Sequence, residues 1–571
     1  MKRLLLASAC LLAVLAPARA AAPGDRVLKA MTDELDRTVR RLKMDSLDRP
    51  YYVSYYVVDS TETSLSASFG SLLDDSSDVS RRVAADVRVG SAAFDNTWYV
   101  GQDFNSYSPA GSQLSEEAGY DALRFGLWSL SDDAYKKALE KYSQKKAYRT
   151  KKNISEIYGD LSPEPRVRLF DDARPSEAFD APAWRERVKA LSAVFRKYPA
   201  VQDSQVSFGF AMRTARFADS GGTRFRRGWD DVTLSVRATV QDRTGLRISD
   251  SEDLLWPSLA AVPSDADLAA RTEAFAREMS YLVDASTAEV YLGPVLFEGQ
   301  AAAEFLNQLF VANVSFPRAP WADKDDWTRY YIASGELTKK LGMRVLPAFV
   351  GVTDDPLKNS YDGTALAGSY PVDNEGVRPA PLELVRGGKL VNFYMDRSPV
   401  KEFRASNGHA RGSVAEFPTP RPGNVFFSFL PAKRAPEAEL KKKLLELAAE
   451  NGLDYAVLVR RVDPETSREY GELLSDPVIA YKVSVKDGSE TPLGPSEWSG
   501  VTFRALRDIT LASDKDQVYN YYQAGPFYYN RGLVPASIAA PEALLVQEME
   551  LKPTEAKPDR PPYLPHPYFA K

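Results

Sequence analysis

Apolar residues at Val27, Met31, Leu35, Val39 and Leu42 recur at helical spacing and predict a helix at the start of the folded chain. The pattern then changes period. Tyr51–Val58 reads as a strand, Leu65, Ala67 and Phe69 alternate, and so do Val83, Ala85, Val87 and Val89. Residues 117–149 predict a helix in two pieces, broken near Ser129–Asp132, and Trp184, Val188, Leu191 and Phe195 predict another that Pro199 ends. Residues 204–248 return to strands around the turn Asp219-Ser220-Gly221-Gly222. A helix capped by Ser264, with Asp267 in the capping-box position, runs to about Val283.

Beyond residue 285, Glu289–Phe297 predicts a strand and Gly299–Phe310 a helix, and short strands dominate from Met343. Arg386-Gly387-Gly388-Lys389 is a hairpin turn between Leu382–Val385 and Leu390–Tyr394. Ala438–Asn451 predicts a late helix stopped by Gly452, followed by strands at Tyr455–Val462, Val478–Val485 and Val501–Leu511. From Lys552 the chain is proline-rich and predicts extended, mobile structure, with His566 inside it. A helix leading into runs of antiparallel strands indicates an α+β protein rather than a doubly wound sheet. The expected organisation is a signal peptide over 1–20, an N-terminal α+β region over 21–285, a β-rich region over 286–551 and a tail over 552–571.

Composition narrows the chemistry. The chain has 571 residues, 73 Lys and Arg against 78 Asp and Glu, two histidines (His409 and His566) and one cysteine, Cys10. Lys2 and Arg3, the apolar run Leu4–Ala16 and Ala18-Arg19-Ala20 read as a secretory signal cleaved after Ala20, so export to a periplasmic or extracellular location is expected. A lipoprotein anchored at Cys10 is disfavoured, because Ala7-Ser8-Ala9 is a poor lipobox. Without its signal the chain carries 70 cations against 78 anions, the wrong sign for a nucleic-acid partner. The apolar run falls short of the ~20 residues a spanning helix needs, and no transmembrane segment is expected. A cysteine nucleophile, a disulfide framework and a zinc site built from several His and Cys are excluded for the mature chain.

Local motifs supply no catalyst. The eight cations between Lys136 and Lys152 read as a solvated helix face. Asp219-Ser220-Gly221 stands alone and reads as a turn, whereas aspartic-protease chemistry needs two carboxylates sharing a proton. A Ser-His-Asp triad would have to use His409, which follows the turn pair Asn407-Gly408 and reads first as a loop histidine held by local polar groups. Asp354-Asp355-Pro356 and Asp373-Asn374-Glu375-Gly376 read as turns before they read as cation sites.

Gly293-Pro294-Val295-Leu296-Phe297-Glu298-Gly299-Gln300-Ala301-Ala302 resembles the strand-to-helix entry of the TldD/PmbA (TldD–TldE) metallopeptidase family. Val345-Leu346-Pro347, Asp354-Asp355-Pro356, Asp373-Asn374-Glu375-Gly376, Gly388-Lys389-Leu390 and Asn407-Gly408-His409-Ala410-Arg411 follow in the family's order. The resemblance implies an N-terminal α/β domain joined to a β-rich, barrel-like C-terminal domain. Metal-bearing members carry His-Glu-x-x-x-His on the helix after that strand. Here Asn307 and Gln308 stand at the His-Glu pair and Ala312 at the second His; a one-residue slip would place Leu306, Asn307 and Val311 there. Amides lack the charge and basicity of zinc ligands, so no metal, no cofactor and no independent catalysis are expected. The resemblance implies the metal-less TldE/PmbA type, partnered by a TldD-type subunit and acting on peptides. Two other readings stand beside it: a stand-alone peptide-binding protein, and a hydrolase with a new site around His409. In each, Asn407, His409 and Arg411 are the candidate cleft residues.

Overall fold

The computed structural model describes residues 25–558, 566, 568 and 569, except for 45, 103, 156, 172–178, 325–327, 329–334, 415, 468–470 and 528–531. The expected signal peptide lies outside the described residues.

Helix α1 (Arg26–Arg41) begins behind Asp25, whose carboxylate accepts from the N–H groups of Val27 and Leu28 at 3.0 Å. Strands β1 (Pro50–Ser68) and β2 (Ser71–Ser91) form a long antiparallel hairpin. Helices α2 (Tyr120–Lys151) and α3 (Ala181–Ala193) follow, then β3 (Asp203–Asp219), β4 (Arg224–Gln241), β5 (Arg247–Trp256) and helix α4 (Asp265–Tyr281). The strands lie in the order β2-β1-β3-β4-β5, each antiparallel to its neighbour. Ser264 caps α4 as its sequence predicts: its hydroxyl accepts from the Asp267 N–H at 3.2 Å and donates to the Asp267 carboxylate at 2.6 Å.

Side chains alternate across this sheet, and the two faces have different fates. One face is apolar and takes helices. Val53, Tyr55, Val57, Val83, Ala85 and Val87 pack on α1 and α2, while Leu65, Phe208, Phe210, Val232 and Leu234 pack on α3 and α4. The other face carries Tyr56, Val58, Arg213, Arg227 and Trp229 toward the C-terminal half of the chain.

That half contains β6 (Tyr291–Glu298), α5 (Gln300–Leu309), β7 (Val350–Asp354), β8 (Leu382–Arg386), β9 (Asn424–Phe429), α6 (Glu437–Glu450), β10 (Tyr455–Val462), β11 (Pro477–Ser484), β12 (Ile509–Ser513), β13 (Asp516–Gln523), β14 (Val534–Pro541) and β15 (Ala543–Pro553). Two mixed sheets result, ordered β12-β15-β6-β10-β11 and β8-β7-β9-β14-β13, with β6/β10 and β9/β14 parallel. Every residue of α5 after its first is buried, and one core joins Phe305 and Leu309 to Val457 of the first sheet and Val425 of the second. The chain is an α+β protein. The Gly387-Gly388 turn has φ of 55° and 76°, and a Cβ on Gly388 would lie 2.3 Å from the Leu346 carbonyl oxygen, so only glycine fits there.

Four expectations are corrected. Helix α2 is continuous through 129–132, because Ser131 turns inward: its hydroxyl donates to the Leu127 carbonyl at 2.7 Å and meets the Tyr55 hydroxyl at 2.7 Å. The basic run is not wholly solvated either. Lys145 is fully buried, 2.7 Å from Asp160, and donates to the Thr97 carbonyl at 2.6 Å. His566 is packed on the body of the protein, its ring stacked at 3.9 Å on Phe69. The stretch 501–511 is a strand only from Ile509; a 3-10 turn, Phe503–Leu506, precedes it, with Thr502 accepting from the Arg504 N–H.

Candidate functional site

Between the open face of the N-terminal sheet and the C-terminal half lies a groove with two lobes of about 570 and 1000 Å³, which share Ser258, Ala365, Tyr522 and Leu533. Cross-strand registry builds the wall of the smaller lobe. Val58, Ala215 and Arg227 form one row, and Ser60, Arg213 and Trp229 the next. Asn374 and the segment 411–414 close it from the opposite side.

The larger lobe reaches α5 through Gln300 and Glu304. Glu304 is completely buried, and its carboxylate accepts from Gln308 Nε2 at 3.0 Å, Asn307 Nδ2 at 3.2 Å, the Tyr519 hydroxyl at 2.8 Å and the Glu465 N–H at 3.2 Å. Burial pushes the Glu304 carboxyl above its ordinary value, and the Gln308, Tyr519 and Asn307 hydrogen bonds work against that shift. Gln308 is also fixed at its other end, accepting from the Ser475 N–H at 2.7 Å, and it donates to the Asp463 carbonyl at 2.8 Å. Ala312 sits buried in the turn after α5.

The loop 407–411 is held from behind. Asp373 accepts from the N–H groups of Glu375, Val377 and Ala410, at 3.0, 2.8 and 3.1 Å. Gly408 has φ of 78°, and a Cβ there would lie 2.5 Å from Pro379 Cα. Asn407 accepts from the Met395 N–H at 3.0 Å and donates to the Phe393 carbonyl at 2.7 Å. His409 is 0% exposed, with Nδ1 at 3.1 Å from the Asn407 carbonyl and Nε2 at 3.4 Å from Asp354. Neither Asn407 nor His409 lines the groove. Arg411 does. It is 6% exposed, its Nη1 donates to the carbonyls of Pro422 and Pro535 at 2.6 Å each, and its guanidinium lies 4.6 Å over the Tyr370 ring.

The structure therefore brings Arg411 into one lobe and leaves Asn307 and Gln308 behind Glu304 at the edge of the other. Arg227, Trp229, Asp231 and Tyr519 lie outside the candidates read from the sequence. The alternation Arg227-x-Trp229-x-Asp231 on a long strand carried a signal, since polar and aromatic side chains on one face need a reason to face inward.

An α+β fold with a groove between its two halves and a buried, amide-locked helix is the class these features define. Residues 291–552, from the start of β6 to the end of β15, match the PmbA/TldA metallopeptidase C-terminal domain. This C-terminal part of the chain belongs to the TldD/PmbA family. Its fold is similar to that of TldE from Thermococcus kodakarensis, at 12% identity and TM-score 0.60, over 91% of this chain and 99% of that one. It is also similar to a proposed modulator of a DNA gyrase from Thermotoga maritima, at 16% identity and TM-score 0.57, over 88% of this chain and 96% of that one. A third similar structure, a proposed modulator of DNA gyrase from Bacteroides thetaiotaomicron, has 10% identity and TM-score 0.58, over 93% and 100% of the two chains. No curated protein matches this chain significantly.

A metallopeptidase family implies a metal, and the residues here do not fit one. The amide nitrogens of Asn307 and Gln308 point at Glu304, and the Gln308 oxygen is taken by Ser475. That leaves the Asn307 oxygen as the one free acceptor of the pair, neutral and weakly basic.

Proposed function

We propose that this chain is the metal-free subunit of an exported peptidase assembly, joined to a TldD-type subunit that carries His-Glu-x-x-x-His, and that its groove helps to hold the peptide. One observation carries the reading. On the preferred register, which sets Asn307 and Gln308 at the His-Glu pair of metal-bearing relatives, both amides are spent as hydrogen-bond donors to a buried carboxylate. An α5 built this way keeps its packing and polar network without metal chemistry. The complete burial of His409 disfavours a hydrolase centred on it, because substrate and water do not reach the ring. The basic start at Lys2 and Arg3, the apolar run Leu4–Ala16 and Ala18-Arg19-Ala20 support the export part of this reading, with the mature chain expected to start at Ala21.

The test is co-purification from the native envelope. The expected result is a stable complex with a paralogue bearing His-Glu-x-x-x-His, and peptidase activity that requires both chains. Recovery of this chain alone, with peptide binding intact, would favour the stand-alone binding protein. Zinc-dependent hydrolysis by this chain alone would overturn the reading.

A further inference from the structure

The smaller lobe of the groove holds two arginines that the fold leaves without a carboxylate. Arg227 donates to the Asn374 side-chain oxygen at 3.2 Å, and its Nε is buried with no partner. Arg411 is anchored through Nη1 to two carbonyls, while its Nε and Nη2 have no partner among the described residues. No acidic side chain lies within ion-pair distance of either guanidinium among the described residues. Asp231, the acid on the same strand face, is already paired with Arg213. Burial lowers the Arg411 pKa; the Tyr370 hydroxyl opposes that shift and the charge of Arg227 adds to it. A fold that sets a buried and a half-buried arginine together beside a cavity gains from an anion entering it.

The surroundings specify the anion. A guanidinium held at one nitrogen presents its opposite edge as a planar fork, which matches a carboxylate bidentately. The remaining wall includes Val58, Trp229 and Leu366, suited to an apolar body attached to that carboxylate. The lobe continues through Ala365, Tyr522 and Leu533 into the larger one, which gives room for a chain extending away from the charged end.

We propose that Arg227 and Arg411 form a carboxylate pocket that takes the C-terminal carboxylate of a peptide, with the preceding residues lying in the larger lobe. The peptide part of this assignment rests on the reading of the chain as a member of a peptidase assembly. The pocket itself rests on the two arginines.

The test uses the isolated chain and calorimetric titration with N-acetylated tetrapeptides varied at the last residue, each as the free acid and as the C-terminal amide. The free acids are expected to bind, and the amides to bind about tenfold or more weakly, the loss of one charge-assisted pairing. Arg227→Gln and Arg411→Lys are each expected to weaken the acids by about tenfold and to leave amide binding unchanged. Because Arg227 is only partly buried, its variant keeps the test valid if the Arg411 variant fails to fold. Equal affinity for acid and amide, no binding of either, or unchanged acid binding in Arg227→Gln would overturn the proposal. Competition by acetate or inorganic phosphate as strong as by the peptide acids would overturn the peptide assignment. Acid-specific binding by a chain that never assembles with a TldD-type subunit would end the subunit reading and leave the pocket standing.

Discussion

Asp373 shows how one residue ties the candidate loop to the body of the protein. It is fully buried, it receives three backbone N–H groups, and its pKa is nonetheless pushed up to about 8. Burial is the largest cause and the nearby Glu375 carboxylate the next, and together they outweigh the three donors. The linkage sign follows. Between an unfolded value near 3.8 and a native value near 8, the native state holds a proton that the unfolded state has lost. The contribution is therefore complete at low pH and disappears as pH rises through about 8. Glu375 and Asp396 are raised by burial as well, opposed at Glu375 by Arg397 and at Asp396 by the Ser398 hydrogen bonds, so each loses its contribution in the same sense, as pH rises. Asp373→Asn is expected to cost about 1 kcal/mol at pH 6, because its amide nitrogen cannot accept from the Ala410 N–H. It is also expected to flatten part of the stability loss between pH 6 and pH 9. Urea titrations across that range measure both; an unchanged slope in the variant would remove Asp373 from the account.

At the scale of elements, helix α2 carries the clearest energetic asymmetry. Lys145 projects from it onto Asp160, and Arg318 reaches the other oxygen of the same carboxylate at 2.7 Å. Asp160→Asn strands two buried cations, whereas Lys145→Met leaves the Asp160–Arg318 pair in place. The first is expected to cost about 3–5 kcal/mol and the second clearly less. Denaturant midpoints with unchanged slopes would check the ordering, and a reversed order would show that Arg318 does not hold the carboxylate. The same helix shows what periodicity conveyed and what it missed. Its apolar face and the α+β layering were legible because burial repeats at fixed spacing. Its continuity through Ser129–Asp132 was not, because a buried Ser131 satisfied by Tyr55 across 76 residues of sequence leaves no local mark. Lys145 was missed because its partners, Asp160 beyond the end of the helix and the Thr97 carbonyl 48 residues before the lysine, leave no mark in the helical spacing. The candidate site was legible in part: α5 and Arg411 could be placed by family resemblance, but Arg227 could not, because its role depends on strand registry.

The two halves of the molecule share a core, and this sets the last expectation. Leu296, Leu440, Leu444, Leu458 and Leu545 from beyond residue 285 lie in the same buried cluster as Phe208, Val232, Phe275 and Met279 from before it. Polar ties cross the same junction: Arg461 of β10 pairs with Asp250 of β5, and Arg397 donates to the Ser162 carbonyl at 2.9 Å. A groove formed between two bodies stays in register only if those bodies are clamped elsewhere, and this cluster is the clamp. Removing a side chain there should act on both halves at once. Leu458→Ala deletes a fully buried side chain and is expected to cost about 2–5 kcal/mol, the transfer term plus the cavity it leaves. Unfolding of the parent is expected to be a single transition, with near-UV circular dichroism, which follows packing throughout, coinciding with cleavage of the β1–β2 hairpin in pulse proteolysis. In Leu458→Ala both probes should move to lower denaturant together, although residue 458 lies almost 370 residues beyond the end of that hairpin. If the hairpin kept its original midpoint while the rest of the signal shifted, the halves would be independent folding units, and the groove between them a hinge rather than a fixed cavity.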